Sequence, residues 1–544
     1  MVKLLVIGID GATFDIILPM VKSGKLPHIS KLMKEGIYVE MQSVFPPITF
    51  PAWTSFKTGK SPSKHGVFGF IGDYPYISDK SKVILSTDVK EVSFWKILSN
   101  SGYRVGIVNV PTTYPPERVN GVMISGLGTP SLSSEFVYPK ELKKILIEKF
   151  DYEFDVIPVE FGEEDEFVEK ITNATKKLTK VACYLLDNQK FDFFMLNYMA
   201  VDITQHFFWG FRDPKHPWYC PEKLKYSNTI EEIYGLIDTQ IGKLLSKIGK
   251  ANVFIVSDHG FGPAYKEVYL NEFFMKVGLL SLKNNLNSVS RITKYKAMLA
   301  STILKSKKIY TLLDRCDKLI PKQLKRKLKQ LKQCLLRMSS ESEMIDWGNT
   351  KVYSGGFFGR VYVNLKGREK EGIISPGEEY ENIIKKVEEI LREWKDPETG
   401  EKIVNEIYRK EEIYPNGKYI HLAPDLTVIL KNMSYVDYPG IKNGKIFYPP
   451  RRSGDHRLNG VFIGWGPDIK RGVKLENISI CDMAPTILYM FGLAVPTDMD
   501  GKVLLNIFKE TSKASRKMLT FSKSEIEKIK ISEKIKILKK ENKI

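Results

Sequence analysis

The sequence has few cysteines and lacks long apolar runs, and each absence excludes a class of protein. Its five cysteines are scattered through 544 residues and none forms a C-x-x-C pair. This set argues against a disulfide framework or a thiolate zinc site, and it fits a reducing cytoplasm. No stretch approaches the roughly 20 apolar residues of a membrane span. The apolar N-terminal run ends at Asp10-Gly11 without the pattern of a secretory signal, so we expect a cytoplasmic protein.

Acidic residues are scarce in two segments, and these segments account for the formal net charge of +19. Residues 281–340 contain 16 Lys and Arg against two Asp, and residues 511–544 contain 11 against four Glu. The rest of the chain is close to neutral, unlike a uniformly basic nucleic-acid-binding protein. We therefore expect no nucleic acid as a binding partner.

Both basic segments are predicted to be helical. Four leucines recur at helical spacing among the Lys and Arg residues of the first segment: Leu324, Leu328, Leu331 and Leu335. We interpret residues 281–340 as a cap over the substrate entrance; the alternative is a surface for anionic membranes or polyanions, which would place the protein peripherally at a membrane. The second segment begins with the capping-box pattern Ser522-x-x-Glu525 and predicts one terminal helix, either packed on the body or serving as a basic arm.

The remaining sequence predicts an α/β fold with a mostly parallel central sheet flanked by helices, because short apolar runs alternate with amphipathic stretches. The predicted strands of this sheet are Lys3–Ile9, Arg104–Val110, Phe191–Tyr198, Asn252–Ser257 and Gly460–Gly464. A second α/β stretch, Lys351–Asn432, is interpreted as a small lobe or a return to the sheet. The predicted division is a first core part at 1–275, a basic helical insertion at 276–345, a second core part with the lobe at 346–510, and a basic C-terminal helix at 511–544.

Acidic and histidine residues follow three of the predicted strands at their carboxyl ends, where open α/β sheets bind ligands. Asp10 follows the first of these strands. Asp202 and His206 follow another, and their spacing of four places them on one helix face. Asp258 and His259 follow a third, where Gly260 is expected to permit an unusual turn that points both side chains into one site.

Histidine is also scarce, and three of the seven histidines lie in such motifs: His206, His259 and His456. His456 stands in Gly454-Asp-His just before the last predicted strand. Each one alone is more simply explained as a hydrogen-bonded structural histidine, but the set with three aspartates favours a metal site. Mixed carboxylate and imidazole ligands favour zinc, manganese or iron over calcium.

The segment Thr49-Phe-Pro51 is typical of the start of a helix, because proline is well placed in a first turn. Thr49 is then expected just ahead of the helix N-terminus, where free N–H groups attract an anion. A threonine there is either an N-cap or part of an anion site. Taken alone, the segment is more simply explained by the N-cap.

In this order, the motifs over 1–275 and 341–510 resemble the alkaline phosphatase superfamily, and within it the type I phosphodiesterase/nucleotide pyrophosphatase family. Asp482-Met-Ala-Pro-Thr-Ile-Leu488 and Val495-Pro-Thr-Asp-Met-Asp-Gly501 resemble the closing helix and loop of that superfamily. The resemblance implies an alkaline phosphatase-like fold and a metal-dependent hydrolase of phosphodiester or pyrophosphate bonds. It also implies two divalent ions, zinc or alternatively manganese. Sulfatase chemistry is disfavoured because the chain has no C-x-P-x-R segment.

The resemblance further implies a role for each motif. One ion would be held by Asp10, Asp258 and His259, and the other by Asp202, His206 and His456. Thr49 would be the nucleophile between the two ions and would form a phospho-threonine intermediate. Water would then hydrolyse this intermediate, and two inversions at phosphorus would give net retention.

The chain departs from the family pattern after His65-Gly-Val67, where Phe68-Gly-Phe70 stands in place of an asparagine that usually contacts the phosphate. The charge on the phosphate is then expected to be met by the Thr49 N–H or by Lys57 or Arg360. This departure counts against nucleotide diesters as substrates. His65 itself is interpreted as structural.

Two other functions remain open at this stage, beside hydrolysis of a small-molecule phosphate ester. The first is phosphate transfer on the same scaffold, as in cofactor-independent phosphoglycerate mutases. Those mutases usually use serine and carry a domain directly after it, so Thr49 and the late insertion argue against them. The second is a non-catalytic protein that docks on membranes or polyanions through 281–340 and the basic tail.

Overall fold

The computed structural model describes residues 2–72, 82–155, 162–283, 344–442 and 444–522. No helix within these ranges combines the length and apolar character needed to traverse a bilayer. The basic helices predicted at 281–340 fall almost wholly outside the described residues, as does the terminal helix from residue 523 onwards. Residues 511–522 form turns and one short strand.

The strands and helices follow each other in alternation along most of the chain. The strands are β1 Leu4–Ile9, β2 Ile37–Gln42, β3 Ile71–Gly72, β4 Lys82–Val83, β5 Val105–Val110, β6 Gly121–Ser125, β7 Val137–Tyr138, β8 Phe193–Tyr198, β9 Asn252–Val256, β10 Gly260–Pro263, β11 Lys266–Tyr269, β12 Val352–Ser354, β13 Arg360–Val363, β14 Val404–Arg409, β15 Leu426–Leu430, β16 Tyr435–Tyr438, β17 Phe447–Tyr448, β18 Gly454–Arg457, β19 Asn459–Trp465, β20 Ile478–Ser479, β21 Val495–Pro496 and β22 Phe521–Ser522. The helices are α1 Phe14–Lys22, α2 Pro27–Glu35, α3 Thr49–Thr58, α4 Pro62–His65, α5 Phe94–Asn100, α6 Leu142–Phe150, α7 Glu164–Asn188, α8 Ala200–Arg212, α9 Thr229–Ile248, α10 Leu270–Lys276, α11 Glu378–Arg392, α12 Lys410–Ile413 and α13 Met483–Met490.

Nine strands form the central sheet, in the order β20-β2-β19-β9-β1-β8-β5-β6-β7. Strands β9, β1, β8, β5 and β6 run parallel to one another, whereas β19 and β7 are antiparallel to their neighbours. The predicted α/β fold with a mostly parallel central sheet is therefore confirmed. The five predicted strands all lie in this sheet, with bounds within two residues of those expected.

Helices cover both faces of the sheet, and every residue of the central strands β1, β5, β8 and β9 is buried. In β1 the side chains of Leu5, Ile7 and Ile9 enter one hydrophobic core, and those of Leu4 and Val6 enter the other. The first core includes residues of α7, α8 and α9, and the second includes residues of α3, α5 and α13. Burial on two faces explains the continuous apolar runs in the sequence.

The stretch Lys351–Asn432 forms a small lobe with a sheet of its own, in the order β12-β13-β15-β14. A third hydrophobic core joins this sheet to α11 and to residues of α10. On α11 the apolar residues Ile384, Val387 and Leu391 lie three or four positions apart and are buried on one face. Of the two alternatives left open by the sequence, a separate lobe is the one observed.

Candidate active site

The predicted ligand residues converge at one edge of the central sheet. Strands β9, β1 and β8 are adjacent and parallel, so their carboxyl ends lie side by side. Asp10 directly follows β1, Asp258 follows β9, and Asp202 lies in the first turn of α8, just after β8. The three carboxylates are buried, with at most 6% of each residue exposed. Parallel pairing therefore explains how residues far apart in sequence form one acidic cluster.

His259 and His456 are brought together by the short antiparallel pair β10–β18. His259 immediately precedes β10, and His456 lies in β18 opposite Phe261. Gly260 serves this arrangement in a way that the sequence did not predict, because its φ angle is not in the left-handed range. A Cβ atom at Gly260 would lie 1.9 Å from the Asn459 carbonyl oxygen, so close backbone approach requires the glycine.

All three imidazole rings are oriented in the same way by backbone carbonyls. The Nδ1 atoms of His206, His259 and His456 lie 2.9, 3.1 and 2.8 Å from the carbonyl oxygens of Gly454, Gly260 and Pro47, respectively. A carbonyl oxygen can only accept a hydrogen bond, so each Nδ1 carries the proton. Each Nε2 is left with a lone pair, the form in which histidine binds a metal.

The ligand atoms form two groups that share an edge. In the first group, His259 Nε2 lies 3.5 Å from Asp10 Oδ1 and 3.3 Å from Asp258 Oδ2. In the second group, Asp202 Oδ1 lies 3.5 Å from His206 Nε2 and 3.4 Å from His456 Nε2. The groups meet where His259 Nε2 approaches Asp202 Oδ1 at 4.0 Å. The six residues that the resemblance assigns to two ions therefore lie in one continuous cluster of ligand atoms.

These residues fit a metal centre. Four buried ligand atoms make no hydrogen bond with any described residue: Asp10 Oδ1, Asp202 Oδ1, Asp258 Oδ2 and His259 Nε2. Because buried polar atoms are almost always paired, orphaned lone pairs facing one another indicate a missing cation. The two Nε2 atoms of His206 and His456 lie 3.2 Å apart, and their lone pairs repel unless a positive charge lies between them.

The pKa values of the carboxyls describe the same deficit of positive charge. Burial raises the pKa of Asp258 to about 8, and repulsion by Asp202 adds to the effect. Burial and the neighbouring carboxylates Asp258 and Asp202 also raise the pKa of Asp10 well above its usual range. Burial lowers the pKa of His259, so this ring stays neutral. Asp10 and Asp258 are therefore carboxyls that a bound cation would keep ionised, whereas the facing histidines outweigh burial and lower the pKa of Asp202.

Thr49 lies beside this cluster as the first residue of α3, with Ile48 as the N-cap. Pro47, just before the helix, provides the carbonyl that accepts from His456. Trp53, one turn later on the same face as Thr49, donates from Nε1 to Asp10 Oδ2 at 2.7 Å. Contacts on both sides of Thr49 therefore reach residues of both ligand groups. The N-cap alternative is not observed, since Thr49 lies inside the helix.

The family model for type I phosphodiesterase/nucleotide pyrophosphatase matches residues 4–445, about four fifths of the chain. The chain belongs to this family. It is therefore a hydrolase of the phosphodiesterase and pyrophosphatase type, and the predicted resemblance to this family is confirmed. No curated protein matches the chain in sequence.

Two solved structures of mouse ectonucleotide pyrophosphatase/phosphodiesterase 5 are similar to this member of the family. One is 12% identical, covers 93% of this chain and 100% of its own, and has a TM-score of 0.49. The other, an inactive variant in complex with AMP, is also 12% identical, covers 94% and 100%, and has a TM-score of 0.48. At this sequence identity, neither structure indicates which substrate this chain uses.

The two predicted phosphate-contacting cations of this family member lie in different surroundings. Lys57 is buried in α3, and its Nζ donates to the carbonyl oxygen and Oγ1 of Thr112 at 2.8 and 3.3 Å. Burial lowers the pKa of Lys57 to about 8, against the opposing effect of Glu117. Arg360 is half-buried at the start of β13, and its Nη1 donates to the Phe68 carbonyl at 3.2 Å. Arg360 therefore lies over the segment in which the family usually has asparagine.

Two further buried polar residues lie next to α3 or to the cluster, namely His65 and Asp455. His65 is buried, its Nδ1 accepts from Val67 N at 3.2 Å, and its Nε2 contacts Ser55 Oγ at 2.9 Å, contacts that fit its interpretation as a structural residue. Asp455 was not predicted, yet its carboxylate forms a compact group with His206 and His456, with ligand atoms within 4.8 Å of one another. Its position directly before His456 in the sequence was the signal available for finding it.

Proposed function

We propose that this chain is a metal-dependent phosphoesterase that hydrolyses a phosphodiester or pyrophosphate bond at a site with two divalent ions, with Thr49 as the nucleophile. The observation that carries the proposal is the convergence of orphaned ligand atoms beside the first turn of α3. Membership in a phosphodiesterase family supports the reaction type. The geometry of the cluster supports the choice of residues for the proposed site.

The ligands divide between the ions as their distances suggest. Asp10, Asp258 and His259 would hold one ion, and Asp202, His206 and His456 would hold the other. Three imidazole nitrogens and three carboxylates form a donor set that suits zinc, with manganese as the alternative. When bound, two such ions would stabilise the attacking and leaving oxygens and lower the pKa of the Thr49 hydroxyl.

Thr49 is the proposed nucleophile because it begins α3, between Pro47 and Trp53, whose contacts reach both ligand groups. Its hydroxyl oxygen attacks phosphorus in line, the bond to the leaving oxygen breaks, and the phosphoryl group stays on Thr49. Water then attacks phosphorus from the vacated side, releasing the product and restoring the hydroxyl. As the first helical residue, Thr49 also has a backbone N–H without an intrahelical acceptor, and this N–H can donate to a phosphate oxygen.

The substrate is proposed to be a small-molecule phosphate ester whose charge is met in part by Arg360. The guanidinium lies over Gly69, since a Cβ there would be 3.3 Å from Nη1. It is therefore placed near the segment that lacks the usual asparagine. Lys57 is the weaker choice, because its ammonium is bound to Thr112 two turns into α3.

The proposal is tested with protein stripped of metal, reloaded with zinc or manganese, and assayed on an aryl phosphodiester and an aryl phosphomonoester. We expect metal-dependent hydrolysis that falls at least a hundredfold in Thr49→Ala and in Asp258→Ala. Thr49→Ser keeps a hydroxyl and should retain measurable activity. Asp15→Asn, an exposed carboxylate at the start of α1, is the matched control and should behave as wild type. Failure of the loaded wild type to hydrolyse either ester overturns the proposal.

A further inference from the structure

A loop of the small lobe packs directly on the ligand cluster. This loop, residues 355–360, leads into β13 and is called the lobe loop here. Its residue Phe358 is half-buried and places its ring 5.4 Å from the ring of His456, centroid to centroid, with the planes 27° apart. The lobe loop therefore connects the small lobe, which has its own hydrophobic core, to the ligand cluster at the end of the central sheet.

His456 lies next to two rings. Besides Phe358, the ring of His259 stacks on it, with ring centroids 3.6 Å apart and planes at 16°. The Nδ1–H of His456 is fixed in addition by the Pro47 carbonyl. These contacts restrict the orientation of the imidazole, whose Nε2 is directed at Asp202 and His206.

Phe358 is held in a backbone conformation that non-glycine residues rarely adopt. Its φ angle is +66°, in the left-handed region, where a Cβ atom crowds the following carbonyl. The neighbouring Gly359 also has a positive φ, of +65°, but glycine tolerates it. Strain of this kind persists only where the surroundings enforce it, and it often accompanies function.

Several contacts enforce the conformation of the lobe loop. Asp437 is buried in β16, and its Oδ1 accepts from Gly359 N at 2.7 Å. Arg360 donates from Nε to the Phe357 carbonyl at 3.0 Å and from Nη1 to the Phe68 carbonyl. At Gly359 a Cβ atom would lie 1.8 Å from the Val428 carbonyl oxygen, so the backbone is packed closely against β15.

From these contacts we infer that Phe358 is a positioning residue: the lobe loop holds its ring against His456 so that this imidazole is oriented for the second ion. The inference rests on the proposed metal site, and it makes the small lobe a part of that site. Glycine would adopt the positive φ at position 358 without strain, but it has no ring to pack against His456. The strain at Phe358 is therefore consistent with a requirement for the ring.

The test compares metal binding and stability in Phe358→Ala, Phe358→Gly and Phe358→Tyr, with Phe357→Ala as control. Alanine and glycine both remove the ring, but only glycine suits the positive φ, so Phe358→Gly should have the higher Tm of the two. Phe358→Tyr keeps the ring. Phe357 is exposed and contacts Tyr438 rather than a ligand histidine.

Metal affinity is measured by titration of chelated, folded protein with zinc or manganese alone. We expect one of the two sites to lose affinity by 10- to 100-fold, equally in Phe358→Ala and Phe358→Gly, with affinity close to wild type in Phe358→Tyr and Phe357→Ala. Wild-type affinity in both ring-less variants overturns the inference, as does a loss that follows Tm rather than the absence of the ring. A wild type that binds no metal overturns the proposed function instead.

Discussion

At the scale of single residues, the buried carboxyl of Asp437, which accepts a hydrogen bond from the lobe loop, should make the stability of the protein depend on pH. Burial raises the pKa of this carboxyl to about 7, against the lowering effects of the Gly359 N–H and Arg360. Its second oxygen, Oδ2, makes no hydrogen bond with any described residue. Since the pKa in the folded protein exceeds that in the unfolded chain, the stabilising contribution is full below about pH 4 and is lost as pH rises through 7.

We therefore predict that Asp437→Asn makes the protein relatively more stable as the pH rises. The difference in the free energy of unfolding between variant and wild type should shift in favour of the variant by up to roughly 4 kcal/mol between about pH 4 and pH 8. Urea unfolding of the metal-loaded proteins at a series of pH values measures it. A difference that is constant across this range contradicts the raised pKa.

Asp258 gives a second prediction at this scale, with a sign that depends on metal. Without ions its buried carboxyl is destabilising, because burial and Asp202 oppose its charge. Asp258→Asn should therefore raise the Tm of chelated protein and lower the Tm of metal-loaded protein relative to wild type. Thermal unfolding with and without zinc shows whether the two effects have opposite signs; equal signs contradict a ligand role.

The proposed metal ligands could be named from the sequence and its family resemblance, but the residues that orient them could not. Asp10, Asp202 and Asp258 follow apolar strands, and parallel pairing brings strand ends together whatever the details of packing. Phe358 stands in the lobe without any motif, and its contact with His456 depends on how two cores pack. Asp455 has no sequence signal beyond its position next to His456.

At the scale of elements, a hydrogen bond connects α3, which carries the proposed nucleophile Thr49, to the residue that follows β1. Trp53 Nε1 donates to Asp10 Oδ2 within the protein interior. We predict that Trp53→Phe destabilises the protein by about 1–3 kcal/mol, because a buried carboxylate loses its donor. Metal affinity should fall as well. Both are read from urea unfolding and metal titration.

Trp95→Phe is the matched control for this prediction. Trp95 Nε1 donates to Glu117 at 3.3 Å, away from the ligand cluster. Its loss should affect stability without changing metal affinity. Equal metal affinity in Trp53→Phe and wild type would mean that the hydrogen bond to Asp10 only supports the fold.

The bounds of strands were predictable where the apolar pattern is strong. The roles of single residues at the ends of elements, such as Gly260 and Thr49, were less predictable. Strands β1, β8 and β9 agree with the sequence-based expectation because every residue in them is buried. The explanation given for Gly260 was wrong, because the need for glycine arises from the Asn459 backbone, which joins β10 to a later part of the chain. Thr49 was placed one position outside its helix, a difference that local sequence does not resolve.

At the scale of the whole molecule, metal should be a main source of stability. Ions that bind only the folded chain stabilise it by about 2.7 kcal/mol per site at a hundredfold excess over Kd. We predict that chelation lowers Tm by several degrees and that zinc or manganese restores it. A Tm that does not respond to chelation and reloading would contradict the metal centre.

The order of strands in the central sheet has a consequence for biosynthesis. Strand β19, made late, lies between β2 and β9, which are both made earlier. While the ribosome is still translating the lobe, β2 therefore has no neighbour through which to join the emerging sheet, and His456 does not yet exist. The nascent chain can assemble the other five proposed ligands, but a metal site that uses all six would be completed only when translation is nearly finished.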